Sequence, residues 1–419
     1  MRSHKTDRCR RTTMTYLEQS SAAGRHVFPD LARAIALIGI AVVNVGVFAY
    51  PFMTGYSDGA LSTRSDHSAV FMVTALAMMK SYTLFSFMFG VGFAYQMRAA
   101  ERRGAAFGNL YWRRIAGLFI LGTIHGTFFF PGDILAIYAM LGAILFLFRN
   151  AKTQTLIRAA ISLYLLQLLV IGGLASLMAL GSAFEPDGMA SDLQRMNEDA
   201  ARTFAIYRNG SFLDVSSLRF AEWIQMLTFG NMMQGIGALS FFLFGFAAVQ
   251  LNTIAQPNAR IWRQCRQVYL PIGLLGSLWS AHIMLQGTSF MDPRTMLGLF
   301  LIMLFSPFST AGYLGLIAKW AQSPKRGLKL FLARGGTASL SAYLLQSLMM
   351  SFIFCGYGLG LYGSLGAAAC IAIGLGIGAS SIIFTSLWRS TFGRGPMEIL
   401  LRRWTYWGRP HPPQSATSR

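Results

Sequence analysis

From Leu31 onward, long apolar runs alternate with short polar joints, and the runs are of membrane-spanning length. They fall at about Leu31 to Tyr50, Ser81 to Gln96, Ile115 to Phe130, Ile134 to Phe148 and Ala159 to Phe184. They resume at Gln234 to Leu251, Val268 to Gln286, Met296 to Ala318, Leu340 to Gly356 and Leu365 to Leu387. A helix needs roughly 20 mostly apolar residues to cross a bilayer, so the pattern predicts an all-α, polytopic membrane bundle of about ten transmembrane helices. Ser68 to Lys80 and Leu218 to Met233 are more mixed and are expected to lie along the interface before the span that follows. Met189, Leu193, Met196, Ala200 and Phe204 recur at helical spacing, which predicts an amphipathic surface helix or lid over 189–206.

Charge orients this bundle. With the N-terminus inside, 29 of the 36 basic residues fall on inner segments, while 11 of the 16 acidic ones fall outside. Lys and Arg collect in short cytoplasmic loops, so both termini are expected in the cytoplasm. The organisation read from this is a basic cytoplasmic tail over 1–30, a membrane half over 31–184, an extracytoplasmic loop over 185–219, a second membrane half over 220–403 and a cytoplasmic tail over 404–419. At 54% hydrophobic and 12% charged residues, with mean hydropathy +0.46, the composition excludes an ordinary water-soluble domain. The net charge of +20 sits in clusters between apolar runs, not on a basic face, so nucleic acid is not an expected partner; the bilayer is. Cys9, Cys265, Cys355 and Cys370 show no metal-ligand spacing, and no metal site is expected.

Candidate chemistry centres on Gly117 to Gly142, two apolar runs joined at Pro131-Gly132, with His125 before the turn and Asp133 after it. Ionisable groups held in hydrocarbon are functional candidates by default. Antiparallel helices joined so tightly bring a His-Asp pair within reach, and the carboxylate would orient the imidazole as a general base. The plainer readings are an N-cap for Asp133 and an interhelical hydrogen bond for His125. Asn44, near the outer end of the first helix, suits an oxyanion or acceptor contact, or again a hydrogen bond between helices. Asp30 and Arg33 form a capping and snorkelling pair or a phosphate contact. Gly358-Leu-Gly360-Leu-Tyr-Gly363 matches a dinucleotide fingerprint only in letters, since no strand precedes it. Gly374 and Gly378 are spaced to let helices approach closely.

Asp30, Arg33, Ala36, Gly39, Ile40 and Asn44 resemble the first-helix signature of the YeiB-like bacterial membrane proteins, grouped as domain of unknown function 418. The resemblance continues through Leu84-Phe85-Ser86, Arg113-Arg114, His125 and Gly132-Asp133-Ile134-Leu135, then Tyr343-Leu344-Leu345-Gln346-Ser347 and Gly395-Pro396-Met397-Glu398. The N-terminal half is in turn similar to membrane acyltransferases, including heparan-α-glucosaminide N-acetyltransferase. That likeness implies acyl-CoA as a cytoplasmic donor, an envelope glycan or lipid as acceptor, and a polar pocket beneath the outer surface. In those terms His125 is the base, Asp133 its orienter and Asn44 the oxyanion or acceptor contact, with Arg98, Arg113 and Arg114 a basic rim for the donor. The sequence departs from that pattern where Gly55 stands in place of the enzymes' histidine, and at Ala34, Thr337 and Ala342. Two other classes fit the same residues: a small-solute transporter with His125 and Asp133 relaying protons, and a non-catalytic membrane partner protein.

Overall fold

The computed structural model describes residues 27–408, apart from 53, 57, 105, 325 and 326; most of the first tail and residues 409–419 lie outside it. Helix α1 is Val27–Ala49. Helix α2, Arg64–Leu76, begins at a capping box in which Thr63 accepts the Asp66 amide and Asp66 accepts the Thr63 amide. Helix α3 is Lys80–Glu101, α4 Phe107–Phe128, α5 Ile134–Leu147 and α6 Thr153–Phe184. Helix α7 is Pro186–Asn209, and α8, Phe212–Gly230, starts at a second capping box, Ser211 with Asp214. A π turn at Asn231–Gly235 joins α8 to α9, Ile236–Gln250. A helical turn at Arg260–Gln264 leads into α10, Leu270–Met284, followed by α11, Pro293–Gln322. The chain ends with α12 Gly327–Gly336, α13 Ser339–Phe354, α14 Ala367–Phe392 and α15 Pro396–Thr405.

Every apolar run of the sequence falls on a helix, but the count of long spans differs from ten. Among the described residues six helical stretches are long and apolar enough to cross a bilayer, or seven if α12 and α13, bent by 82°, form one broken span. The shortfall has a physical cause. Helix α5 has 14 residues and α10 has 15, each rising only about 22 Å against a hydrocarbon core of about 30 Å. Helix α4 is longer but carries Arg113, Arg114 and His125.

The two segments expected to lie along the interface instead run on into their spans. Arg64–Glu101 behaves as one stretch of 38 residues and Phe212–Gln250 as one of 39. The second rises roughly 58 Å, more than the ~45 Å of bilayer with its headgroups, so it either tilts strongly or projects beyond it at one end. The amphipathic segment is helix α7, and its C-terminal turn docks on the turn after α13: Tyr207 stacks on Tyr362 at 5.0 Å, and the Gly356 amide donates to the Tyr207 carbonyl at 2.8 Å. Asn209 and Ser211 end α7 and cap α8.

Glycines set the closest helix crossings. Gly90 on α3 lies against the Phe242 carbonyl of α9, and Gly245 on α9 lies against the Phe87 carbonyl of α3, so the two backbones meet twice with no room for a methyl group. Gly374 and Gly378 on α14 likewise face Ala41, Val45 and Ile38 of α1. Gly245→Val is expected to cost at least ~3 kcal/mol, the upper range for overpacking a dense core, because backbone on the facing side cannot step aside as a rotamer would. A thermal midpoint equal to wild type in detergent would contradict that. Cys265, Cys355 and Cys370 are buried free thiols.

Candidate functional site

The amides of Phe129 and Phe130 both donate to the His125 carbonyl at 2.9 Å, and helix α4 closes at its cap residue, Phe129. Two residues later Pro131-Gly132 reverses the chain, and Asp133 caps α5 by accepting the Ala136 amide on Oδ2 at 2.8 Å. Its other oxygen, Oδ1, lies 2.7 Å from His125 Nδ1. Both residues are 1% exposed. With the carboxylate as acceptor Nδ1 is the donor, and in the neutral imidazole that tautomer leaves the lone pair on Nε2. Among the described residues Nε2 has no hydrogen-bond partner. Glycine makes the approach possible: a side chain at Gly122, one turn before His125, would meet Asp133 Oδ2 and the Ala136 backbone, and one at Gly126 would meet the Trp223 indole. Capping and orienting are therefore done by the two oxygens of one carboxylate.

Around the imidazole stand three aromatic rings. Tyr343 of α13 is closest, with ring centres 5.0 Å apart, while Phe130 and Phe129 lie at 6.3 and 6.4 Å. The Tyr343 hydroxyl receives the Ile134 amide at 3.4 Å, at the first residue of α5. Phe130 stacks on Phe48 of α1 at 4.5 Å. Asn44 lies one turn before Phe48 on the same face of α1, half-buried, and so points toward the side of the helix that meets this hairpin.

A cavity of about 1160 Å³ runs into the bundle from its arginine-rich end. Arg33, Arg98, Arg102, Arg103, Arg114, Arg389, Arg394 and Arg402 contribute to its walls, against two acidic residues, Asp30 and Glu398. Both acids are engaged: Asp30 pairs with Arg33 at 2.7 Å, and Glu398 accepts the Leu340 amide at 2.8 Å and the Ser341 hydroxyl at 2.5 Å, capping α13 from α15. Deeper in, the walls turn apolar and aromatic, ending at Leu118, Leu135, Tyr138 and Tyr343. Leu135 is the second residue of α5, so the cavity stops within one helical turn of Asp133.

The structure thus brings His125 and Asp133 into contact, and puts Arg98 and Arg114 on the cavity wall. Arg98 also donates to the Val249 carbonyl at 2.8 Å. Arg113, Asn44 and the His-Asp pair are not in the lining. Arg113 is half-buried, and its carbonyl accepts the Trp404 indole at 2.8 Å. The expected polar pocket beneath the outer surface is not where the large cavity opens. It opens at the opposite end, because the short α5 and the bend between α12 and α13 leave the bundle unfilled there.

Three residues escaped the reading of the sequence. Tyr343 sat in a recognised motif without a role, and Glu398 looked like an ordinary acid in the first turn of its own helix. Arg219 had a weaker signal: it is one of the seven basic residues on the side of the bundle where acidic residues prevail, and it opens an apolar stretch. It is 1% exposed and donates to the Phe128 carbonyl at 2.8 Å, to the Tyr357 hydroxyl at 3.0 Å and to Cys355 Sγ at 3.1 Å.

An all-helical bundle with several bilayer-length apolar helices, entered from one end by a basic cavity, is a polytopic membrane protein. The chain belongs to the YeiB-like family, whose sequence pattern, described as "Protein of unknown function (DUF418)", matches residues 246–408. It is 30% identical over 399 residues to the uncharacterized protein YxaH of Bacillus subtilis, covering 90% of this chain and 93% of that one. With the uncharacterized protein YeiB of Escherichia coli it shares 28% over 400 residues, covering 91% and 96%. No solved structure matches the chain.

Proposed function

We propose that this protein is an inner-membrane acyltransferase that takes an acyl group from a cytoplasmic coenzyme A thioester and passes it to a hydroxyl or amine of an envelope glycan or lipid. One observation carries the reading: a deep cavity with eight arginines near its mouth and an aromatic, apolar end stops beside a buried histidine-carboxylate pair. The residues suit such a donor, with guanidinium groups for phosphates and rings and leucines for an adenine and an acyl chain. His125 Nε2 accepts the proton of the attacking acceptor group as its oxygen or nitrogen bonds to the acyl carbon. The carbon-sulfur bond then breaks, and the thiolate takes a proton to leave as thiol. Asp133 holds the imidazole in the tautomer this requires, and Asn44 is the acceptor contact.

The test is incubation of the purified protein in lipid nanodiscs with labelled acyl-CoA and candidate envelope acceptors. Labelled product is expected, and no transfer to any acceptor would end the proposal. Binding of the donor gives a separate check. Arg98→Gln and Arg114→Gln are each expected to weaken it about tenfold or more, the worth of one charge-assisted hydrogen bond, and raised salt should weaken it further. Unchanged affinity in both variants would count against the cavity as the donor site.

A transporter of small solutes is the second reading, favoured by the 82° break between α12 and α13, since broken helices line many transport sites. Solute flux in proteoliposomes without any acyl transfer would select it.

A further inference from the structure

The cavity and the His-Asp pair do not communicate as they stand, and one residue touches both. Tyr343 lines the cavity and is itself buried, and its ring stands against the imidazole, 5.0 Å between centres and tilted by 53°, while His125 is not in the lining. Two tethers hold it. At the tip, its hydroxyl receives the Ile134 amide. At the root, Glu398 caps the first turn of α13 through Leu340 and Ser341, the latter two residues before Tyr343. The helix it belongs to starts after a two-residue break from α12, just past the 82° bend.

We propose that the Tyr343 ring is a movable partition: closed, it seals His125 Nε2 from the cavity, and displaced, it joins the two into one continuous path. The hydrogen-bonding evidence agrees with this. Among the described residues Nε2 is a buried nitrogen without a partner, and leaving such a group unpaired costs free energy that a ligand reaching past the ring would recover. The anchoring is also of the right strength to be released. A 3.4 Å amide-to-hydroxyl contact is long, and a ring held by it swings about two side-chain torsions without disturbing the helix. Tyr343 is then a positioning and selecting residue, because what passes the ring decides what meets the imidazole. Glu398 lies on the same cavity wall, so a ligand that draws the carboxylate away from Ser341 loosens the root of the partition as it enters. The inference deepens the acyl-transfer reading and rests on it for its purpose, but its geometry can be tested without any turnover.

The probe is diethyl pyrocarbonate, which ethoxyformylates an unprotonated imidazole nitrogen, with each histidine read by peptide mass spectrometry on the purified full chain in detergent. His67 and His282 are exposed and serve as internal references. In the wild type His125 is expected to stay protected relative to both. In Tyr343→Ala its rate should rise about tenfold or more, as for a group passing from protection by a local opening to direct access. Tyr343→Phe keeps the ring and loses only the tip tether, so its His125 should label at a rate between wild type and Tyr343→Ala. Tyr343→Leu keeps apolar bulk without the ring, and should open His125 if the alanine variant does not fold. The partition idea is overturned if wild-type His125 reacts as fast as His67. It is equally overturned if both ring-deleting variants fold, with unchanged His67 and His282 rates, and His125 stays protected. Labelling in the phenylalanine variant as rapid as in Tyr343→Ala would show that the ring is not the barrier. Because labelling reads access and not product, absence of acyl transfer would leave this result standing.

Discussion

His125→Gln is expected to lower acyl transfer by about 10²- to 10⁴-fold, the usual contribution of a positioned general base, with little change in thermal midpoint. Glutamine fills most of the space and can still hydrogen-bond Asp133, so what it lacks is a lone pair basic enough to take a proton. Asp133 needs a subtler comparison because one carboxylate does two jobs: Oδ1 holds the imidazole and Oδ2 caps α5. Asparagine caps helices about as well as aspartate, so Asp133→Asn should leave α5 in place. It removes the charge that stabilises the imidazolium formed in the reaction, and its amide offers the imidazole a donor as readily as an acceptor. Asp133→Ala removes both functions and should cost ~1 kcal/mol or more of stability besides. Loss of transfer in the asparagine variant at unchanged midpoint assigns the orienting role. Full transfer in both His125→Gln and Asp133→Asn would sink the mechanism, leaving the carboxylate as a cap only.

How much of this was visible in the chain depends on how local the cause is. The helices were, because apolar run length and turn residues are properties of adjacent positions. So was the His125-Asp133 hairpin, since Pro131-Gly132 forces the reversal and Gly122 leaves room for it. The span count was less legible. Whether α8 stops at Gly230 or continues into α9 turns on a π turn at Asn231–Gly235, and Gly230-Asn231 reads in the sequence as an ordinary helix stop. The cavity was invisible, because it is what remains when α5 is short and α13 starts late, a property of the whole bundle. The arginines could be seen as a cluster, but not that Arg98 and Arg114 line a wall while Arg113 does not. Residues such as Glu398 and Tyr343 act across more than fifty or two hundred positions, on Ser341 and on Ile134, and no spacing rule connects them.

Arg219 shows the same limit, and it carries the largest expected loss of stability. Its guanidinium lies wholly inside the protein and satisfies three acceptors from two separate segments: the Phe128 carbonyl at the end of α4, and the Tyr357 hydroxyl and Cys355 thiol in the turn after α13. Its charge also faces the Tyr207 ring of α7 at 5.3 Å, and Tyr207 in turn donates to Glu222 at 2.6 Å. Arg219→Ala leaves these groups buried without a donor and opens a cavity where the side chain stood, each orphan costing about 1 to 3 kcal/mol. Part of this is returned because a charge need no longer be buried, so a net loss of about 3 kcal/mol is the reasonable figure. Arg219→Lys keeps the charge but not the flat fork of donors, and should fall between wild type and alanine. The effect should reach the site, since Phe128 is three residues past His125 and its carbonyl is the anchor that holds the end of α4. Arg219→Ala is therefore expected both to melt several degrees early and to raise ethoxyformylation of His125. An alanine variant that melts with the wild type would mean that waters or neighbouring side chains take over its bonds, and that the acidic side of the bundle is held by ring packing alone.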